Sequence, residues 1–445
     1  MKTEKIDNIK QLIMQDVRTD GTDVFFNDSS RRVWAPMSGN LATITLRKIL
    51  DANGESLTAQ ECREVLKDLA SDPAFYRPLK EPAVKLINCK NGVLELPQCQ
   101  LHDGWANADF RFQLDFVFDD KATPSKCPNF MKFIKFAYDL TDGTSDEDVL
   151  KDSAVIRLLE MLGYMVSNEY RAKKLLLIIG PPNSGKSQIL ELVRRVIGAG
   201  NTVPLTLEDL SGKGAGRFRT ELIRNKHAVI NDELPTKGVR HLSELKKFIA
   251  GEFVPIEAKG KQPTMMRNRA KLMFAGNQLP DLAEADCGNA FSSRLCVTAF
   301  KKSISTFQRD VGLVDKLYAE RNIIFSMAVK AFAAISTSGL CFHTDPEAEA
   351  LLKAYAEANS TVLTYIKDEA FIVTGAGVHT KELYERYLAY CDTMSLTPAK
   401  NFKAFRQELL AIPGMQIMKT RLEGDINPCS VVRGIAFVKR VVKVA

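Results

Sequence analysis

The stretch LLLIIGPPNSGKSQIL, Leu175 to Leu190, sets a glycine-rich corner between an unbroken apolar run and a helical pattern. A continuous apolar run suits a strand buried on both faces of a parallel sheet. The glycines let the following backbone curl until successive amide N–H groups face one phosphate, and the helix N-terminus adds its dipole. The spacing Gly180-x4-Gly185-Lys186-Ser187 therefore predicts a loop that cradles a nucleoside triphosphate. Its cradle is Gly180, Pro181, Pro182, Asn183, Ser184, Gly185, Lys186, Ser187 and Gln188. Lys186 is expected to reach the β and γ phosphates of ATP, and the Ser187 hydroxyl to ligate Mg²⁺.

Such a loop needs acids, because the metal must be oriented and a water activated beside the γ phosphate. The segment HAVINDEL supplies Asp232 and Glu233 at the end of an apolar strand. Asp232 is expected to hold the metal shell and Glu233 to polarise the attacking water. KLMFAGNQLP then puts Asn277 at the tip of a third buried strand, where an amide could hold the γ phosphate or that water.

At 445 residues the chain can form two or three domains. No apolar stretch approaches the ~20 residues that span a bilayer, and MKTEKIDNIKQLIMQD reads as a charged amphipathic helix, so a cytoplasmic location without membrane contact is expected. The net charge of +7 is modest for this length; where the charge sits matters more. Nine scattered cysteines with no CxxC pair read as reduced thiols, and Cys99 with His102, Cys89 and Cys127 matches no zinc spacing well.

Texture changes along the chain predict three regions. Residues 1–145 mix strand-like pieces (DVFFND, RRVWAP, then NGVLEL and RFQLDFVF) with amphipathic helices, up to the proline-containing boundary TPSKCPNF. Residues 146–342 alternate helices with KKLLLIIG, NTVPL, KHAVIND, KLMFAGN and SRLCVTAF, an α/β pattern with a parallel sheet. Residues 343–445 are helix-rich and end in a two-stranded wing, MQIMKTRLEG with GIAFVKRVVKV.

After Glu257, the segment EAKGKQPTMMRNRAK carries Lys259, Lys261, Arg267, Arg269 and Lys271 with no compensating acid, and Gly260 suits a hairpin tip. In the last region Lys400, Lys403 and Arg406 fall at helical spacing, consistent with a face for duplex phosphates, while Phe402, Phe405 and Leu409 mark an adjacent core face.

The order strand–lysine, strand–acid, strand–amide, with the segments around it, resembles the superfamily 3 DNA helicases. The similarity is to the helicase half of phage and plasmid primase-helicases, relatives of the poxvirus primase-helicase. LKKFIAGEFVPIEAKGKQP, NAFSSRLCVTAF, NCKNGVLEL, LLEMLGYMVSN, TKELYERYLAYCDT and KNFKAFRQELL carry the match over about residues 85 to 435. Two departures stand out. Ala250-Gly251-Glu252 replaces the family's common Gly-Gly-Asp, and residues 1–150 hold no clustered acidic motif or zinc pattern suited to priming, so a separate primase or polymerase is implied as partner.

The resemblance implies an AAA+ type P-loop NTPase core with a mixed N-terminal domain and a C-terminal winged-helix domain. It further implies a homo-hexameric ring moving 3′ to 5′ on single-stranded DNA. Arg294 would act as an arginine finger on the neighbouring protomer's γ phosphate, and Lys259 and Lys261 would grip the strand from a hairpin in the channel. Two other readings stay open: an initiator ATPase that melts an origin without processive unwinding, and a nucleotide-switched DNA-binding regulator.

Overall fold

Successive residues of the LLLII run point to opposite sides of a sheet: Leu176 and Ile178 enter one hydrophobic cluster, Leu175, Leu177 and Ile179 the other. That two-sided burial, seen in a computed structural model, organises the whole centre of the chain. The structure describes all residues except 1, 105–107, 211–217, 236–237, 240, 258–262, 283–289, 306–308, 359, 395–398 and 438–445.

The chain begins with helix α1 (Lys2–Ile13), strands β1 (Val17–Thr19), β2 (Val24–Asp28) and β3 (Val33–Met37), and helices α2 (Gly39–Ala52) and α3 (Ala59–Leu69). Thr58 caps α3, accepting from the Glu61 amide at 3.2 Å while Glu61 accepts from the Thr58 amide at 2.8 Å. The three strands form one antiparallel sheet, and residues from Ile9 to Phe75 share a separate core. A second small antiparallel sheet follows, β4 (Leu86–Cys89), β5 (Gly92–Glu95) and β6 (Gln100–His102). RFQLDFVF forms no strand, because its amides go to scattered acceptors: Val117 donates to Asn322 at 2.9 Å and Phe118 to Asn91 at 3.0 Å.

Helices α4 (Pro128–Ala137), α5 (Asp146–Val149) and α6 (Ser153–Val166) lead to β7 (Leu175–Ile179) and α7 (Lys186–Ile197). Then come β8 (Thr202–Val203), α8 (Leu207–Leu210), β9 (Ala228–Asn231), α9 (Leu242–Ala250), β10 (Phe253–Ile256), β11 (Thr264–Arg267), β12 (Lys271–Gly276) and β13 (Leu295–Ala299). Five of these strands make one sheet in the order β13-β7-β12-β9-β8, all pairs parallel. β10 and β11 pair antiparallel as a hairpin outside it. Its base is fixed by buried Asn268, whose side chain donates to Phe248 O at 2.8 Å and accepts from the Ala270 amide at 3.1 Å. Thus α9, the hairpin and β12 meet at one buried amide.

Helices α10 (Leu313–Ala319) and α11 (Arg321–Ser336) complete one face of the sheet, and α12 (Pro346–Ala358) lies on the other. The last unit comprises α13 (Thr361–Glu369), β14 (Ala370–His379), α14 (Thr380–Thr393), α15 (Phe402–Ala411), β15 (Gln416–Thr420) and β16 (Cys429–Phe437). Its sheet has three antiparallel strands, β14-β16-β15, so the expected wing hairpin gains a partner strand that the glycine-containing FIVTGAGVH concealed.

Both expected boundaries cut through continuous packing. Ile87, Phe116, Phe130 and Ile134 share a core with Leu192 and Phe325, so the segment from about residue 86 belongs with the parallel sheet. TPSKCP misleads because Pro128 opens a helix rather than a linker. At the other end Ala348 of α12 packs under the sheet, and Arg157 of α6 bridges to Glu349 at 2.7 Å. The core of the last unit starts only at Val362. No helix among the described residues is long and apolar enough to cross a membrane.

Candidate functional site

Parallel pairing brings the carboxyl ends of β7, β12 and β9 to one edge, with Gly276 opposite Ile179 and Phe274 opposite Asn231. The glycine-rich corner starts where β7 ends. Gly180 donates its amide to Gly276 O at 3.2 Å, and a Cβ there would lie 2.6 Å from Phe300 O. Asn183 (φ 59°) and Gly185 (φ 88°) turn the chain through the left-handed region. At Gly185 a Cβ would also fall 2.4 Å from the Phe133 ring, so the loop is pressed against α4.

Lys186 begins α7 and is buried. Its ammonium donates to Gly180 O at 2.8 Å, Pro181 O at 2.7 Å, Ser184 Oγ at 3.3 Å and Asn277 Oδ1 at 3.2 Å. These acceptors are all neutral, and no carboxylate among the described residues pairs with it. Burial consequently pulls its pKa below the ordinary lysine value. A buried cation with only dipoles around it is electrostatically incomplete, and a polyanion at the loop would supply the missing charge. The residues thus fit the phosphates of a nucleotide, with Ser187 exposed in the first turn of α7 for a metal.

Asp232 and Glu233 follow β9 and are exposed. The Glu233 amide donates to Asn231 Oδ1 at 2.9 Å, while Asn231 Nδ2 donates to Leu205 O at 3.3 Å. β12 lies between β7 and β9, so the acids stand two strands, about 10 Å, across the edge from the loop. The same segment closes back on the middle strand, since a Cβ on Gly276 would meet Leu234 Cδ1 at 2.6 Å. The structure therefore places Lys186 and Asn277 in contact and sets the acidic pair on their edge.

Arg294 is not part of this constellation. It precedes β13, whose first residue Leu295 pairs with Leu175 at the amino end of β7. A strand of five residues separates it from the loop, about 15 Å along the sheet. Its guanidinium donates to Ala290 O, and its buried Nε has no partner among the described residues.

Three contacts at the loop escape the sequence reading. Arg309 donates to Asn183 Oδ1 at 2.5 Å, Ser303 Oγ to Pro182 O at 2.6 Å, and the Ile304 amide to Asn183 O at 3.2 Å. The segment after β13 thus straps the outer side of the cradle. KKSIS and its arginine look like an ordinary polar loop, and no local pattern marks them.

The basic elements divide. Lys259 and Lys261 lie outside the described residues; the strands that flank them form the expected hairpin, with Ile256 opposite Thr264. Arg267 stands over the Phe253 ring at 5.0 Å, and Arg269 pairs with Glu81 at 3.0 Å. Lys271 does not belong to a DNA-facing run: it is buried, donates to Ser167 O and lies 2.8 Å from His227 Nε2. Burial drives its pKa well below the ordinary lysine value. Lys400 is likewise no duplex contact but a buried ion pair with Glu408, while Lys403 and Arg406 are exposed. His102 meets Glu95 at 2.9 Å, and no group of three metal-ligating residues among those described includes Cys99.

Residues 178–290 match the model of DUF5906, a family of unknown function. That quarter of the chain holds the cradle, the acidic pair and Asn277 but stops short of Arg294. Among solved structures the chain is similar to the apo structure of the NrS-1 C terminal region (305-718), at 12% identity and a TM-score of 0.48. It is also similar to the A form apo structure of the same region, at 10% identity and 0.47. Each likeness covers 96% of this chain and 98% of that one.

Proposed function

We propose that the chain is an ATP-hydrolysing DNA helicase of a mobile element that works as a homo-hexameric ring. The observation that carries the reading is the buried Lys186 ammonium, surrounded by neutral acceptors at the carboxyl edge of a parallel sheet, with Asn277 3.2 Å away. ATP with Mg²⁺ would supply the phosphoanhydride to be cleaved and neutralise part of its phosphate charge.

The chain's own groups then divide the work. Amides of the Gly180–Gln188 cradle and the Lys186 ammonium hold the β and γ phosphate oxygens. Ser187 and Asp232 would hold the metal, and Glu233 would accept a proton from the attacking water. Asn277 orients that water or the γ phosphate. Because Arg294 sits at the far edge of its own sheet, its finger role requires a neighbouring protomer, which is the support here for a ring. Lys259 and Lys261, which the sequence puts between β10 and β11, would bind backbone phosphates of one strand, a contact that reads no sequence.

The last unit, three helices with a three-stranded sheet, supports a winged-helix reading in which exposed Lys403 and Arg406 approach duplex phosphates. Movement 3′ to 5′, a separate primase or polymerase and a cytoplasmic setting belong to the same proposal.

The test is strand displacement from forked DNA carrying a 3′ or a 5′ tail. DNA-stimulated hydrolysis with displacement from the 3′-tailed fork, both lost in Lys186→Ala, is the expected result. Hydrolysis without displacement would replace this reading with the initiator, and no hydrolysis at all with the switch.

A further inference from the structure

Three side chains of metal-ligating type converge in the last unit, far along the chain from the nucleotide loop. His379 ends β14, Cys429 begins β16, and Asp425 lies in the segment joining β15 to β16. One ligand atom from each falls within 4.8 Å of the other two. His379 Nε2 and Asp425 Oδ1 are 3.0 Å apart. The geometry points to a Zn²⁺ site formed by His379, Asp425 and Cys429, with the fourth position open to water.

The chemistry of the donor set selects the ion. Tetrahedral zinc bonds of ~2.0–2.3 Å set neighbouring ligand atoms roughly 3.3–3.7 Å apart, so small rotations of existing side chains meet the requirement. An imidazole and a thiolate disfavour Ca²⁺ and Mg²⁺, which take oxygen ligands, and favour zinc. The thiol is accessible: Cys429 is exposed and donates to the Asn427 carbonyl at 3.4 Å.

One of the donors already has an outer-shell contact, and the strands around all three are paired. Asp425 Oδ2 accepts from the Leu422 amide at 2.7 Å, and the Asp425 amide donates to Leu422 O at 3.1 Å, which aims Oδ1 at the histidine. On the strand side, Thr380 Oγ1 and Ser430 Oγ, neighbours of two of the ligands, lie 3.0 Å apart. Pairing of His379 with Val431 and of Thr420 with Cys429 fixes the register of all three strands at this end. Two other histidines meet carboxylates, His102 with Glu95 and His343 with Glu160, and neither forms a three-ligand group among the described residues. A metal here would tie the β15–β16 connection to the end of β14.

The test uses the full chain, stripped with a chelator and titrated with Zn²⁺ or Co²⁺ alone. One equivalent should remain bound after gel filtration, and the cobalt form should show a thiolate-to-metal charge-transfer band with the strong visible bands of a tetrahedral site. Cys429→Ser should abolish the charge-transfer band. His379→Gln should weaken zinc by more than the ~10–100-fold that losing an outer-shell partner costs. Cys341→Ser, at an exposed thiol elsewhere, should change neither. Substoichiometric zinc in the unaltered chain, or a charge-transfer band that persists in Cys429→Ser, would overturn the assignment. All four proteins have their folding checked by circular dichroism, and all substituted positions are partly or fully exposed.

Discussion

Asn277 Oδ1 accepts a hydrogen bond from the Lys186 ammonium at 3.2 Å, joining the tip of β12 to the first residue of α7 across the mouth of the cradle. The contact links the two groups that would meet the γ phosphate from either side. Asn277→Ala should therefore leave nucleotide binding within a few-fold of normal and lower turnover by ~10²–10³, as loss of one preorganised donor does. Steady-state hydrolysis beside binding of a fluorescent nucleotide measures both.

Arg294 and the cradle occupy opposite edges of one sheet, so in the proposed ring the arginine would serve the site of a neighbouring subunit. Arg294→Ala should bind ATP normally and lose ~10³ or more in turnover. Mixed with Glu233→Gln chains it should regain activity, because some interfaces then pair an intact acid with an intact arginine. Hydrolysis rates across mixing ratios check this; a flat, inactive series would remove the shared site.

The Lys400–Glu408 pair tests the corrected view of the last unit. Lys400 is fully buried, and Glu408 also accepts from Ser360 Oγ at 2.7 Å. Lys400→Met alone removes the cation from a buried ion pair and should cost about 3–5 kcal/mol, whereas Lys400→Met with Glu408→Leu should recover most of it. Denaturant unfolding gives the numbers. Lys403→Ala with Arg406→Ala should leave stability within about 0.5 kcal/mol and weaken duplex binding instead.

His227 gives the protein an acid limit. Burial, then the nearby Lys271, hold its pKa well below 6.5, and its Nε2 lies 2.7 Å from Met165 O. Below pH 6.5 the unfolded chain takes up a proton that the folded one refuses, so the unfolded state binds more protons and stability falls as pH falls. The slope should approach about 1.4 kcal/mol per pH unit and flatten in His227→Gln. Unfolding midpoints between pH 7.5 and pH 5 check the sign.

The sequence exposes the centre of the molecule well because its signals are local. Five consecutive apolar residues running into a glycine-rich corner suit a strand covered on both sides, and each of Lys186, Asp232 and Asn277 directly begins or follows a regular element. What it conceals depends on distance along the chain or on burial. Arg309 meets Asn183 across 126 residues, and nothing near either marks the pair. Lys271 and Lys400 count as basic residues in any tally, yet each is buried, because charge patterning does not tell which way a side chain points. The boundary at 145 fails for a related reason: Phe133, just beyond a proline-rich segment, packs against Gly185 of the cradle.

β12 joins the nucleotide cradle to the base of the β10–β11 hairpin. Its carboxyl end carries Asn277, and its amino end follows within three residues of the Asn268 amide that fixes the base of the hairpin. An extended strand has a nearly fixed rise per residue and close-packed interiors transmit strain, so a push at one end of β12 would be felt at the other. In the proposed helicase, any stroke of the hairpin would then be limited to what β12 could slide between β7 and β9, a fraction of one residue's rise unless those two strands slid with it.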